Sequence, residues 1–334
     1  MKSRTSRGFT LIELLVVIAI IALLISILLP AIGKMRIVAW KIKSLSNIRS
    51  ICFAAATYQE AYQGWLPLFP PKTGRGMLPE FIPNSSPMQR NALNGYCTWT
   101  FAGKNPRGQN SAGVQTWPTY FGGIFDIEAA DRPLNAYLTN QPFNAPDAPQ
   151  LMAANAPERE KAVMPVMHDP SDKLGHQWGG GGNPPMGGWP NPNALDPATG
   201  QVSCYDDVGT SYQFNVKWHD QLVGDPTGPA PGQQFGTGGM LNYYLGLRRL
   251  RAADSFNPSK FAWLHDEYAD IIVYNTSATY QIKNGYGDYN RSVMGFMDGH
   301  AGYIRVRSGN LQTPPFDNSF LNDDYQFIFP WLRR

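Results

Sequence analysis

Three groups of histidine and carboxylate residues have the means to bind a metal or move a proton. They are His168, Asp169 and Asp172; His265, Asp266 and Glu267; and Asp288, Asp298 and His300. Carboxylate oxygens suit Ca²⁺, which takes roughly six to eight oxygen ligands. A structural calcium ion is therefore a candidate near Asp266, Glu267, Asp288 or Asp298. No stretch has the spacing of an EF-hand loop or of a zinc site. There is no Gly-x-Ser-x-Gly, no phosphate-cradling Gly-Lys-Ser and no dinucleotide fingerprint. The glycine run Gly179–Gly182 lacks the flanking strand and helix that would make it a phosphate loop. These residues predict neither an enzyme nor a resident cofactor. For each carboxylate, a turn cap or a surface charge accounts for its presence without chemistry.

One carboxylate stands apart. Glu13 is the only charged residue in an otherwise apolar run from Phe9 to Leu29, behind a cationic leader of Lys2, Arg4 and Arg7 that ends in Gly8. A membrane-spanning helix needs about 20 apolar residues at ~1.5 Å each, and this run is that long. A lone carboxylate inside it costs roughly 2.5–3.5 kcal/mol on insertion scales, so it calls for a partner. The run is too long for the apolar core of a secretory signal, and no small-x-small cleavage site follows it.

The helical signal continues past Pro30, where a kink is expected. Val38, Ile42, Leu45, Ile48, Cys52, Ala55, Tyr58 and Tyr62 step by three or four residues and predict one apolar face. Lys41, Lys43, Arg49 and Glu60 fall on the other. The expected element is one helix from Phe9 to about Tyr62, roughly 80 Å long. Its first half suits a membrane or a filament core, and its amphipathic second half suits packing on a sheet.

Beyond Gly64-Trp65-Leu66-Pro67 the periodicity weakens. A short helix is expected at Ala129–Asn140, and long surface loops at Gly175–Gly200 and Gly224–Gly239. Strands are predicted at Ser211–Trp218, Met240–Leu247, Phe261–His265, Ile271–Tyr274, Thr279–Lys283, Ser292–Met297 and Gly302–Arg307. Together they predict a mainly antiparallel sheet in an α+β fold. Asp298-Gly299, between two alternating runs, is a hairpin-turn signal.

At 334 residues and 43% hydrophobic, the chain can bury a substantial core. Its formal charge of +3 resides entirely in the leader; the remainder balances at 25 acidic residues against as many basic ones. That neutrality gives no electrostatic basis for nucleic-acid binding. Lys34, Arg36, Lys41 and Lys43 follow the apolar run and match the leader's charge, so the positive-inside rule does not orient the helix. Three cysteines are too few for a disulfide scaffold. Cys52 reads as a small buried hydrophobe on the helix, whereas Cys97 and Cys204 are a candidate pair in an oxidising compartment. Trp99, Trp117, Trp178 and Trp189 lie in loop-like stretches where aromatic faces could stack on sugars.

Arg7-Gly8-Phe9-Thr10-Leu11-Ile12-Glu13-Leu14 followed by the apolar run resembles the leader of type IV prepilins and type II secretion pseudopilins. The resemblance implies cleavage between Gly8 and Phe9 by a membrane-embedded prepilin peptidase, then methylation of the new Phe9 amine. It implies that Glu13 meets the charged N-terminus of a neighbouring subunit, neutralising two charges that neither could bury well alone. It also implies an inner-membrane assembly platform as a further partner, with the leader cytoplasmic and the body exported.

A second resemblance involves Asp298-Gly299-His300, which is similar to the C-terminal domain of planctomycete-type proteins with this leader, whose signature is His, nine residues, then Asp-Gly. Asp288 stands where that signature has His. Asp169-Pro170-Ser171-Asp172, Thr210-Ser211-Tyr212-Gln213-Phe214-Asn215, Pro258-Ser259-Lys260 with Asp266-Glu267, and Arg132-Pro133-Leu134-Asn135-Ala136-Tyr137-Leu138 resemble stretches of the same group.

The expected organisation is a cleaved leader (1–8), a transmembrane or filament-core helix (9–30), its amphipathic continuation (31–63) and an exported globular α+β domain (64–334), with the C-terminal motif at about 258–307. This is a pilin-like plan. The expected function is that of a structural pilin-like subunit, a pseudopilin or minor pilin. It would be single-pass in the inner membrane or part of an envelope or surface filament, in contact with lipid and other subunits. The alternative is a binding module, an adhesin or glycan receptor, displayed on the same helix.

Overall fold

The computed structural model describes residues 10–62, 67, 101–104, 129, 132–140, 163–173, 203–205, 209–215, 257–273, 277, 279–308 and 321–327. Helix α1 spans Leu11–Ala61, α2 Asn135–Leu138 and α3 Glu267–Val273; strands β1 to β4 span Tyr212–Phe214, Ala262–Asp266, Arg291–Phe296 and Ala301–Arg305. A single turn of 3-10 helix lies at Pro165–Met167.

The strands form one sheet in the order β1-β2-β3-β4, with every neighbouring pair antiparallel. Tyr212 faces Asp266, His265 faces Met294, and Val293 faces Tyr303, with an irregularity between Ala262 and Leu264. The second half of α1 covers one face. Ile48, Ile51, Cys52, Ala55 and Tyr58 pack there with Tyr212, Phe214, Trp263, Leu264 and Val293. On the other face, Tyr268, Ile272 and Val273 of α3 join Met294, Phe296, Tyr325 and Phe327. The result is a long N-terminal helix on a small antiparallel sheet, consistent with an α+β pilin-like fold.

Helix α1 is 51 residues long and runs through Pro30 as a single helix. The expected buried stripe is corrected along its central part. Val38 and Ile42 are 55% and 62% exposed, while Ser44 and Asn47 are buried. Ile37 and Trp40 pack against the core in their place. Apolar periodicity alone missed the polar Asn47, which finds hydrogen-bond partners under the helix.

Three further expectations are corrected. Ile271–Val273, predicted as strand, belongs to α3, whose Tyr268, Ala269, Ile272 and Val273 repeat at helical spacing. Thr279–Lys283 contributes only an isolated bridge from Lys283 to Tyr289. The Ala129–Asn140 helix shrinks to Asn135–Leu138, beginning after Pro133. Strand Met240–Leu247, residues 216–218 and the two long loops lie outside the described residues. The Asp298-Gly299 turn is present: the Gly299 N–H donates to the Phe296 carbonyl at 2.9 Å, and Gly299 has φ +91°.

Candidate functional site

Gly8 and Phe9 lie outside the described residues, and the site is described from Thr10 onward. Thr10 caps α1 and forms a capping box with Glu13. The Thr10 backbone N–H and hydroxyl each donate to Glu13 Oε2 at 2.8 Å, and the Glu13 N–H donates back to Thr10 Oγ1 at 3.3 Å. Among the described residues, both bonds to the carboxylate fall on Oε2 and none on Oε1. Behind this box the first half of α1 is exposed throughout and almost wholly apolar as far as Leu29, long enough to cross a membrane. Its hydroxyl-bearing Ser26 donates to the Leu23 carbonyl at 2.7 Å, which satisfies it within the helix.

The second half of α1 is fastened to the sheet by both close packing and polar ties. A Cβ on Gly295 would lie 2.5 Å from Ile48 Cγ2 and 2.6 Å from the Cys52 sulfur, so only glycine allows this approach. Cys52 is fully buried, as its helix position predicts, and burial pushes its thiol well up. Asn47 Nδ2 donates to the His168 carbonyl at 3.0 Å and to Tyr212 Oη at 3.3 Å.

Nearer the apolar half, Lys41 Nζ donates to Asp288 Oδ2 at 3.1 Å and sits 4.0 Å above the Tyr303 ring. Tyr303 Oη donates to the same carboxylate oxygen at 2.9 Å. The Lys41 and Tyr303 hydrogen bonds, in that order, hold the Asp288 carboxyl below its ordinary range. Asp288 therefore clasps the helix to the β3–β4 hairpin. Asn284 organises its loop: Asn284 Oδ1 accepts from the Tyr286 and Asp288 N–H groups at 3.1 and 3.0 Å.

The expected calcium ligands do not converge. Asp266 accepts from the Ser292 hydroxyl at 2.7 Å and the Val293 N–H at 3.0 Å, and Glu267 accepts from Gln213 at 2.8 Å. Asp288 serves Lys41, and Asp298 accepts from the His300 N–H at 3.1 Å within the hairpin turn. The His300 ring also contacts Asp298 Oδ1 and stacks on Phe296 at 4.2 Å. Among the described residues, no group of three or more His, Cys, Asp or Glu is placed to hold a metal ion.

The Asp-Pro-Ser-Asp segment is structural. Tyr286 Oη donates to both Asp169 oxygens at 2.8 Å, and the Ser171 N–H donates to Oδ1 at 2.7 Å. Asp172 accepts from the Cys204 and Tyr205 N–H groups at 3.0 and 2.9 Å and from the Ser211 hydroxyl at 2.6 Å. Burial lifts the carboxyls of Asp169, Asp172 and Asp266, the last two to about 7.

Cys204 is buried, while Cys97, its expected partner, lies outside the described residues, as do Trp99, Trp117, Trp178 and Trp189. In the Arg132–Leu138 stretch, Arg132 Nη1 donates to the Ala102 carbonyl at 2.7 Å, and Asn135 Nδ2 to the Gly103 carbonyl at 2.8 Å. Sequence reasoning missed Ser44, Asn47, Tyr286 and Gly295. For Gly295, an isolated glycine within a strand pattern was the available signal of close backbone approach.

Residues 3–29 match the family model described as the prokaryotic N-terminal methylation motif. No curated protein and no solved structure matches the chain. The match places a type IV pilin-like leader directly on an apolar helix. It supports a pilin-like or pseudopilin subunit, a structural class processed by a prepilin peptidase, assembled with other pilin subunits, and anchored in a membrane or built into a surface filament.

Proposed function

We propose that the chain is a filament subunit, a pseudopilin or minor pilin of a type II secretion or type IV pilus-like system, whose mechanism is assembly. The observation that carries this is the leader motif running without a break into a helix that is exposed and apolar in its first half and sheet-packed in its second. In this scheme the peptidase cuts after Gly8, the Phe9 amine is methylated, and Glu13 takes the amine of an adjacent subunit on the oxygen that Thr10 leaves open. The apolar helices then bundle, and the globular part faces outward. Moving from lipid to filament exchanges one apolar setting for another, so helix packing supplies most of the driving force.

The test is the mass of the mature N-terminus, taken from native membranes and from sheared surface fractions. An N-methylated Phe9 is expected in both. An intact Met1, or a cut after Leu29, would make this a simple anchored or secreted protein.

A further inference from the structure

Helix α1 carries no acidic side chain between Glu13 and Glu60, yet it carries Lys34, Arg36, Lys41, Lys43 and Arg49. Their positions are not equivalent. Lys41 is committed to Asp288. Lys34 and Arg36 are exposed and are the first charges after the apolar run. Glu13 and Lys34 are separated by 21 steps of helix, about 31 Å at ~1.5 Å each, which matches a hydrocarbon layer of ~30 Å. The Cα–Cβ bonds of helical residues tilt toward the N-terminus, which here is the apolar half. The Arg36 guanidinium lies 4.7 Å from the centre of the Trp40 ring, one turn farther on. Trp40 itself packs against the core, so this cation stands where the membrane-exposed part of α1 gives way to the folded body. Lys43 and Arg49 lie about 14 and 22 Å beyond Lys34, more than the Debye length of ~8 Å at physiological salt.

We propose that Lys34 and Arg36, which point to opposite sides of the helix, form a two-sided site at the interface where α1 leaves the bilayer, each cation binding the phosphate of its own anionic lipid. The apolar surface is continuous with the site, the charge is complementary, and the same spacing leaves Glu13 at the opposite edge of the hydrocarbon, where Thr10 already caps it. The site rests on the reading of α1 as membrane-spanning.

The test uses the full chain reconstituted in phosphatidylcholine vesicles containing a quarter phosphatidylglycerol. Spin-labelled forms of the two lipids report their relative association with the protein by electron paramagnetic resonance. Wild type should prefer phosphatidylglycerol. K34Q/R36Q should lower that preference, by roughly fivefold for each cation at physiological salt. K43Q/R49Q and K41Q should leave it unchanged. An unchanged preference in K34Q/R36Q would overturn the site, as would an equal loss in K43Q/R49Q. If wild type is stripped from the vesicles by alkaline carbonate, the membrane-spanning reading fails and the site with it. Retention without lipid preference defeats the site alone.

Discussion

Glu13 is one carboxylate with two separable properties, an acceptor for the helix N-terminus and a charge in an apolar run. Thr10 uses the first property, since its N–H and hydroxyl both reach Oε2. The proposed filament uses the second, through the amine of a neighbour. Glutamine also completes a capping box, so Glu13→Gln keeps the local geometry and removes the charge. Both Glu13→Ala and Glu13→Gln should be cleaved after Gly8 and yet be depleted in the sheared surface fraction, as measured by quantitative mass spectrometry of the processed N-terminus. If Glu13→Gln assembles as well as wild type while Glu13→Ala does not, position 13 needs a cap and the charge-pairing role is wrong.

Among the elements, the α1–β3 contact sets how the long helix meets the sheet. Gly295 lets Ile48 and Cys52 approach the strand backbone more closely than any side chain would permit. Gly295→Ala should therefore destabilise the fold by about 1–3 kcal/mol, the usual range for overpacking. Chemical denaturation of the full chain in detergent should show a lowered midpoint, and an unchanged midpoint would mean that helix and strand can separate freely. Much of this architecture was legible in the sequence, because long apolar runs and alternating strands carry strong periodic signals. β2, β3 and β4 fall within about a residue of the expected ranges at most ends. What periodicity cannot carry is polar burial. Ser44 and Asn47 look like surface residues, and Val38 and Ile42 look like core. The partners that hold Asn47 inward, His168 and Tyr212, are more than a hundred residues away. The Glu267–Val273 run was short and rich in Ile and Val, which leaves strand and helix hard to separate locally. The carboxylates named as calcium candidates serve separate partners: Asp266 binds β3, Glu267 binds Gln213 of β1, Asp288 binds Lys41 and Asp298 holds the hairpin turn.

Across the whole molecule, buried carboxylates tie distant segments together beneath α1 and the sheet. Asp169 binds Tyr286, Asp172 binds the Cys204–Tyr205 turn and Ser211, and Asp266 binds β3. Burial raises Asp172 and Asp266 from 3.8 to about 7, outweighing their hydrogen bonds. In the unfolded chain the same groups titrate near their ordinary value. From roughly pH 4 to pH 7 the native state therefore holds more protons than the unfolded state, and stability falls as pH rises. This contribution is fully present below the unfolded value and lost on passing through the folded one. Asp288 shifts the other way, so its contribution is lost only at more acid pH, outside this window. The full chain in detergent should thus unfold at a higher temperature near pH 5 than near pH 8. Asp172→Asn should flatten part of that slope while lowering stability throughout, because an amide nitrogen would face one of the N–H or hydroxyl donors that the carboxylate accepts. A wild-type profile that is level or rises across the window would mean that those donors keep the interior carboxylates ionised, and that their bonds, not their protons, hold the segments together.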